Sequence, residues 1–251
     1  MLQLKRLLKA DIMKLKSTQI IWIHLYVPIL GLIIFLSYYS YAHWSAYSKV
    51  SAYLQVLCMA FPILIGIITS MVADQEYMAG NYKNLLSSLE CKELSFISKL
   101  AVFLLLGSVS TILAVIGFYV GFSFIEDTIL PLTVYIAVAG ILIGSNIFLY
   151  VLHFFLSFRF SKGVSIGVGI VESLISALFI TGMGDGRWPF FPSSWGMRFI
   201  ESLFIKYQNI NSTFKDPDLF LGIIISIIGT ILSLVFMIIW FRSWEGKRAE
   251  E

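Results

Sequence analysis

Long stretches without a charged residue dominate this sequence. Five of them, residues 17–48, 50–73, 100–125, 128–158 and 219–241, contain no Lys, Arg, Asp or Glu, and residues 163–184 contain only Glu172. A helix needs roughly 20 apolar residues to cross about 30 Å of hydrocarbon. We therefore predict an all-α integral membrane protein with six transmembrane helices, near residues 20–40, 50–72, 100–123, 131–155, 163–181 and 219–241.

The composition excludes several other classes of protein. Only 13% of the 251 residues are charged and 58% are hydrophobic, whereas a soluble domain carries about 25% charged residues. The abundant apolar surface excludes a disordered chain. A net charge of +3, with no basic block apart from the hydrophobic segments, argues against a nucleic-acid partner. We expect residues 1–251 to form a single transmembrane domain.

The distribution of Lys and Arg predicts the orientation in the membrane. Thirteen of the 18 basic residues lie in the N-terminal segment, the loops at 73–99 and 156–162, and the C-terminal tail. Cytoplasmic segments carry the excess of Lys and Arg, so both termini are predicted to be cytoplasmic. The first apolar stretch is too long for the core of a signal peptide and lacks a small-residue cleavage site. It is interpreted as a retained span.

Residues 1–17 are predicted to form an amphipathic elbow helix. Leucines and isoleucines fall on one arc of residues 2–16, and lysines lie beside it. This pattern is typical of a helix that lies on anionic lipid, and membrane lipid is an expected partner. Asp11 interrupts the apolar arc. Contact with a cytoplasmic partner or pairing with Lys14 at i+3 would each account for Asp11.

The mixed-charge loop at 73–99 is the best candidate for contact with a soluble partner. Gly80 predicts a break in the chain, and Asn81 is a plausible N-cap for a short helix over Tyr82–Leu89. An ordinary solvated connector would have the same spacing.

The same loop resembles the coupling region of ABC type-2 permeases. The pattern is Glu76-x-x-x-Gly80-Asn81-x-x-x-Leu85-Leu86, followed by basic residues. This chain has Asn81 where the family usually has Thr, and Leu89 near the usual Pro. Residues 10–16, 53–57, 61–70 and 191–198 resemble permease subunits of lantibiotic self-immunity exporters, the LanFEG type, E or G subunit. The coupling residues that the resemblance implies are Glu76, Gly80, Asn81, Lys83, Leu85, Leu86 and Lys92.

This resemblance implies a bacterial plasma-membrane complex of two unlike permeases, a heterodimer, on a pair of ATPase subunits. The family moves lantibiotics, which are cationic, ring-containing peptides, out of the membrane of the producing cell. The chain has no Gly-x-x-x-x-Gly-Lys-Ser/Thr motif, which is the motif that binds nucleotide phosphates. We expect a non-catalytic subunit without cofactors of its own, and a partner ATPase that binds ATP and Mg²⁺.

Glu172 is the one acidic residue within a predicted span. A charged carboxylate at the bilayer centre costs roughly 2.5–3.5 kcal/mol, so Glu172 is expected to face protein or water. Ser165, Gly169 and Ser176 share its helix face. Two interpretations remain open: a cavity acid that meets a cationic peptide or orders the permease interface, and a protonated packing residue. Asn146, which follows Gly140-x-x-x-Gly144, predicts a close helix contact with one interhelical hydrogen bond.

Residues 182–218 are predicted to be extracellular and contain an aromatic stretch and an amphipathic helix. One interpretation is an interfacial anchor, and the other is an outer gate for a membrane-bound amphiphile. The gate candidates are Trp188, Trp195 and Arg198.

Other chemistry is poorly supported. Gly182-x-Gly184-Asp185 matches a pattern of intramembrane aspartyl proteases, but no second Asp lies in a span and that chemistry needs two carboxylates. His24, His43 and His153 lack the spacing of a zinc site, so no metal is expected. Cys58 and Cys91 are the only cysteines and do not form a disulfide framework.

The leading hypothesis is the permease subunit of an ABC exporter that expels lantibiotic-type peptides and so gives immunity. One alternative is a type-2 permease for another amphiphile, a lipid or a drug. The other is a membrane scaffold or sensor subunit without transport.

Overall fold

The computed structural model describes residues 2–16, 18–86, 92–127, 130–208 and 217–246, and these residues form helices and turns without a strand. The prediction of an all-α protein is therefore confirmed for this part of the chain. The α-helices are α1 (Leu2–Lys16), α2 (Ile20–Tyr39), α3 (Ala46–Met78), α4 (Lys83–Leu86), α5 (Glu93–Phe122), α6 (Leu132–Arg159), α7 (Lys162–Leu178), α8 (Trp195–Gln208) and α9 (Leu219–Ser243). Three short 3₁₀ turns lie between α7 and α8.

Five of these helices, α2, α3, α5, α6 and α9, are long and apolar enough to cross a bilayer. They correspond to five of the six predicted spans. The sixth predicted span, 163–181, coincides with α7, which has 17 residues. At 1.5 Å per residue it extends about 26 Å, less than the hydrocarbon thickness of about 30 Å. A membrane crossing by α7 stays a prediction.

Two helices extend well beyond the spans expected from the sequence. The helix α3 contains 33 residues and begins at the N-cap Ser45, whose side chain accepts a hydrogen bond from the Ser48 N–H. Residues 73–78, expected in a loop, belong to the last turns of α3, and residues 93–99 belong to α5. The predicted loop is consequently much shorter, and Glu76 is a helical residue.

The helices α3, α6 and α7 pack closely against one another. A Cβ atom on Gly169 of α7 would lie 2.6 Å from the carbonyl oxygen of Pro62 in α3. A Cβ atom on Gly66 of α3 would lie 2.9 Å from the carbonyl oxygen of Ser165 in α7. Because only glycine permits this approach, these two positions set the distance between the two backbones.

The two ends of the helix bundle differ in composition. The helix α1, the end of α3, the start of α5, the α6–α7 turn and residues 244–246 meet at one end, where Lys162 pairs with Asp74 and Tyr82 contacts Trp244. Buried Lys49 pairs with Glu126 at the opposite end, where α8 also packs. The segments predicted to share each side of the membrane therefore lie together.

Candidate functional site

Four charged side chains meet where α1 crosses α3 and α5. Lys99 Nζ on α5 donates hydrogen bonds to Asp11 Oδ1 on α1 at 2.9 Å and to Glu76 Oε1 on α3 at 2.6 Å. Lys14 Nζ donates to the same Glu76 oxygen at 2.9 Å, and Ser98 Oγ donates to Asp11 Oδ2 at 2.6 Å. We call Asp11, Lys14, Glu76 and Lys99 the elbow cluster. Pairing of Asp11 with Lys14 was one of two interpretations of Asp11; in the structure Asp11 pairs with Lys99 of α5, and Lys14 pairs with Glu76 of α3.

The elbow cluster is balanced in charge and largely buried. Two carboxylates alternate with two ammonium groups, so each buried charge has a partner of opposite sign. The Asp11, Glu76 and Lys99 side chains are buried, whereas 39% of the Lys14 side chain is exposed. Buried charges are tolerated when they are paired and hydrogen-bonded. The cluster therefore joins the amphipathic helix to the ends of two long helices, and Glu76 is not exposed to a soluble partner.

Three residues with positive φ end α3. Gly80 has φ 129°, Asn81 has φ 50° and Tyr82 has φ 63°. The Tyr82 N–H donates to the Glu76 carbonyl oxygen at 3.1 Å, and the Asn81 N–H donates to the Tyr77 carbonyl oxygen. Outside glycine, this left-handed conformation costs about 1–2 kcal/mol per residue. We call residues 79–82 the α3 turn.

Asn81 is not the N-cap that the sequence predicted. An N-cap residue has extended backbone, whereas Asn81 lies in the left-handed region and closes α3. The short helix does exist, as α4, from Lys83 to Leu86. Its predicted continuation to Leu89 lies outside the described residues, as does Cys91. The predicted break at Gly80 is confirmed.

The predicted coupling residues divide into exposed and buried ones. Gly80, Asn81 and Lys83 are exposed, and Leu86 and Lys92 are partly buried. Leu85 and Glu76 are buried. The turn thus presents backbone and polar groups outward and keeps its apolar and acidic groups inside.

Tyr82 anchors the turn from within. Its ring lies 5.0 Å from the Trp244 ring and 6.0 Å from the Phe158 ring, centroid to centroid, both edge-on. Burial raises the pKa of Tyr82 to about 12, so the phenol stays neutral at physiological pH. Tyr82 was not among the predicted site residues, although an aromatic residue two positions after the predicted break at Gly80 was a usable signal.

A second polar cluster lies within the bundle, between α3, α6 and α7. Glu172 Oε2 lies 2.9 Å from His153 Nε2, and His153 Nδ1 lies 3.0 Å from Ser165 Oγ. Ser165 Oγ donates to the Gly66 carbonyl oxygen at 3.3 Å. We call Glu172, His153 and Ser165 the intramembrane cluster. Glu172 contacts protein, which is one of the two surroundings, protein or water, that the sequence predicted.

His153 is the partner that sequence analysis missed. It lies on α6, is buried, and is separated from Glu172 by 19 positions. An available signal was that His153 and Glu172 are the only ionisable His, Asp, Glu, Lys or Arg residues within their respective predicted spans. Ionisable residues in neighbouring spans commonly pair.

The remaining intramembrane candidates are Ser176, which contacts the backbone of Glu172, and Asn146. Ser176 Oγ donates to the Ser193 carbonyl oxygen at 2.7 Å and to the Glu172 carbonyl oxygen at 2.9 Å, and so ties α7 to a 3₁₀ turn. Asn146 is buried on α6. The close contact expected at Gly140 and Gly144 is wrong within this chain, because a Cβ atom on either meets nothing within 4 Å. Both line a groove of about 350 Å³ between α6, α8 and α9.

The three gate candidates are buried rather than presented at an outer opening. Trp188 packs so closely on α9 that a Cβ on Gly222 would overlap its ring. Trp195 Nε1 donates to the Pro189 carbonyl oxygen at 2.9 Å. Arg198 pairs with Asp185 at 2.8 Å, which gives that aspartate a structural partner. These side chains hold the segment between α7 and α8, and the start of α8, on the bundle.

None of the described residues forms a group of three His, Cys, Asp or Glu side chains that could hold a metal ion. The polar groups described above form a charged cluster at one end of the helix bundle and a second cluster inside it.

Comparison with known protein families identifies the class. Residues 7–178 match the model described as ABC-2 family transporter protein, which covers more than half of the chain and extends from α1 through α7. No curated protein and no solved structure matches the chain. The chain belongs to the ABC-2 transporter family and is a multi-pass membrane permease of the kind that works with an ABC ATPase.

Proposed function

We propose that this chain is a permease subunit of a bacterial ABC exporter that expels lantibiotic-type peptides from the plasma membrane. The observation that carries the proposal is the α3 turn, which presents exposed Gly80, Asn81 and Lys83 where the type-2 coupling pattern lies. A separate ATPase, in two copies, binds ATP and Mg²⁺ and docks at this turn and at residues 83–92. The elbow cluster connects the end of α3 to α1. A rigid contact there would transmit movement of the ATPase to the helix bundle.

The complex also contains a second, homologous permease. The helix α9 supports this part of the proposal, because only Gly222, Met237 and Phe241 are buried among its 25 residues. Large apolar surfaces in a bilayer are covered by lipid or by another helix. In the proposed complex, both termini are cytoplasmic and α7 is the fifth of six spans.

The intramembrane cluster takes part in the transport step by holding α7 against α3 and α6. Its hydrogen bonds leave the Glu172 carboxyl engaged with His153, so a cationic peptide meets this acid only when the two separate. The contact between α7 and the helices α3 and α6 then has two arrangements, with Glu172 and His153 paired or separated. A nucleotide-driven change in the partner ATPase can favour one of them.

A second candidate substrate class is another amphiphile, a lipid or a drug. The apolar groove of about 350 Å³ lined by Gly140, Gly144 and Trp195 favours it, since ligand sites have about this size or larger. A scaffold or sensor subunit has no evident use for the groove or for a buried His–Glu pair.

The test is protection of sensitive cells. Cells that express this chain with its ATPase and second permease are expected to survive purified lantibiotics at concentrations that kill cells lacking the chain. Survival is measured as the minimal inhibitory concentration over a panel of lantibiotics, together with an uncharged amphiphilic drug. Protection against the drug alone would indicate that the substrate belongs to the second class, another amphiphile, and is not a lantibiotic.

The variants Glu172→Gln and Glu172→Leu are included in the same assay. Glutamine can donate a hydrogen bond to His153 Nε2, whereas leucine cannot. We expect protection to persist in the first and to fall in the second. Equal loss in both would show that the charge itself contacts the peptide, and full protection in both would exclude a role for Glu172 in transport.

A further inference from the structure

The α3 turn has an unfavourable backbone conformation that contacts with surrounding residues must stabilise. Asn81 and Tyr82 have φ values of 50° and 63°, and a bulky residue such as tyrosine rarely adopts this region. Strained residues persist only where surrounding contacts determine them, and they occur often at switch regions. The contacts that hold Tyr82 are therefore informative about how the turn works.

These contacts come from the end of the last long helix. Tyr82 is 1% exposed, and the Trp244 ring, just after α9, lies edge-on to it at 5.0 Å. The same tryptophan contacts Phe158 of α6 at 5.4 Å. Residues 244–246 also cover α4, since a Cβ atom on Gly246 would lie 3.5 Å from Leu86 Cδ1. The turn is packed between the ends of α6 and α9.

We infer that Tyr82 and Trp244 are positioning residues that form a latch, which holds the α3 turn in its strained conformation and connects it to α6 and α9. The inference rests on the proposed function, in which this turn receives the movement of the ATPase. The elbow cluster connects the same region to α1 and α5. A displacement of the turn thus reaches α9, which lies beyond the matched family segment.

The experiment compares Trp244→Leu with Trp22→Leu in the complex that co-purifies with its ATPase, reconstituted in lipid nanodiscs. Trp22 on α2 is 52% exposed and lies far along the chain from the latch, so it controls for the loss of an indole. We expect Trp244→Leu to lower lantibiotic-stimulated ATPase activity roughly two- to tenfold, as for the loss of one aromatic contact. Basal ATPase activity and subunit composition are expected to stay unchanged.

Conservative variants separate positioning from folding. Trp244→Phe keeps an aromatic ring and should restore most of the stimulation. Asn81→Gly removes backbone strain and keeps the latch, so it should be at least as active and as heat-stable as the parent. If Trp244→Leu reduces assembly, Tyr82→Leu and the double variant test the latch instead. Residues that act together should give a loss of stimulated ATPase activity in the double variant that is no larger than the loss in either single variant.

The possible results distinguish this inference from the proposed function. Normal stimulation in Trp244→Leu, or strictly additive losses in the double variant, would overturn the latch and leave the exporter proposal intact. Absence of any co-purifying ATPase would overturn both.

Discussion

Replacing Glu76 with alanine is expected to detach α1 from the bundle and to lower the free energy of unfolding by about 3–5 kcal/mol, as for breaking a buried ion pair. Glu76 accepts hydrogen bonds from Lys99 at 2.6 Å and Lys14 at 2.9 Å. Its removal leaves Lys99 with one acidic partner for its buried charge. The measurements are thermal stability in detergent and protease accessibility of α1.

The matched control for this substitution lies on the same helix. Asp74 pairs with Lys162 at 3.7 Å, with about half of each side chain exposed, and an exposed pair contributes about 0–1 kcal/mol. Asp74→Ala should therefore behave almost as the parent. Equal stability of Glu76→Ala and Asp74→Ala would contradict the role assigned to the elbow cluster.

Gly169→Ala is expected to separate α7 from α3. The added Cβ would lie 2.6 Å from the Pro62 carbonyl oxygen and 3.1 Å from the Ile63 Cα, and backbone atoms cannot move aside as a side chain can. Such overpacking costs about 1–3 kcal/mol. The shift would also lengthen the contact between Glu172 and His153. Thermal stability and lantibiotic protection are expected to fall together.

Gly167→Ala is the control for that prediction. Gly167 lies on the same helix, two residues away, and a Cβ atom there meets nothing within 4 Å. Alanine at this position should be neutral or slightly stabilising, because it has the higher helix propensity. Indistinguishable behaviour of the two variants would mean that the close approach of α3 and α7 is not required.

The helices were predictable from the sequence because hydrophobic length alone identifies spans. Charge-free stretches located α2, α3, α5, α6 and α9. They could not show that α3 continues to Met78, since a helix may extend past the hydrocarbon with polar residues. Glu76 was consequently placed in a loop, although it is buried in a helix.

The partners of charged residues were predictable only in part. The position of Asp11 on an apolar arc signalled a contact, but the partner in the structure is Lys99 rather than Lys14, the candidate at i+3. Lys99 lies 88 positions away, and no local spacing reports such a pairing. Glu172 was recognised because an acid in a span is costly, whereas His153 was recognised only when α6 and α7 were seen together.

Of the two left-handed residues, Tyr82 could not have been predicted from residue preference. Asn is common at such positions, but Tyr is not, and Tyr82 takes this conformation because packing against Trp244 and Phe158 holds it. Tertiary contacts here override local preference. The predicted N-cap at Asn81 was wrong because its backbone is left-handed and donates to the Tyr77 carbonyl oxygen, which closes α3.

We propose that this chain transmits the work of a separate ATPase. The most direct test of this proposal is purification of the chain from native membranes in mild detergent, followed by mass spectrometry of the proteins that accompany it. We expect an ABC ATPase subunit, in two copies, together with a second permease. Recovery of the intact chain without any nucleotide-binding subunit would contradict the proposal.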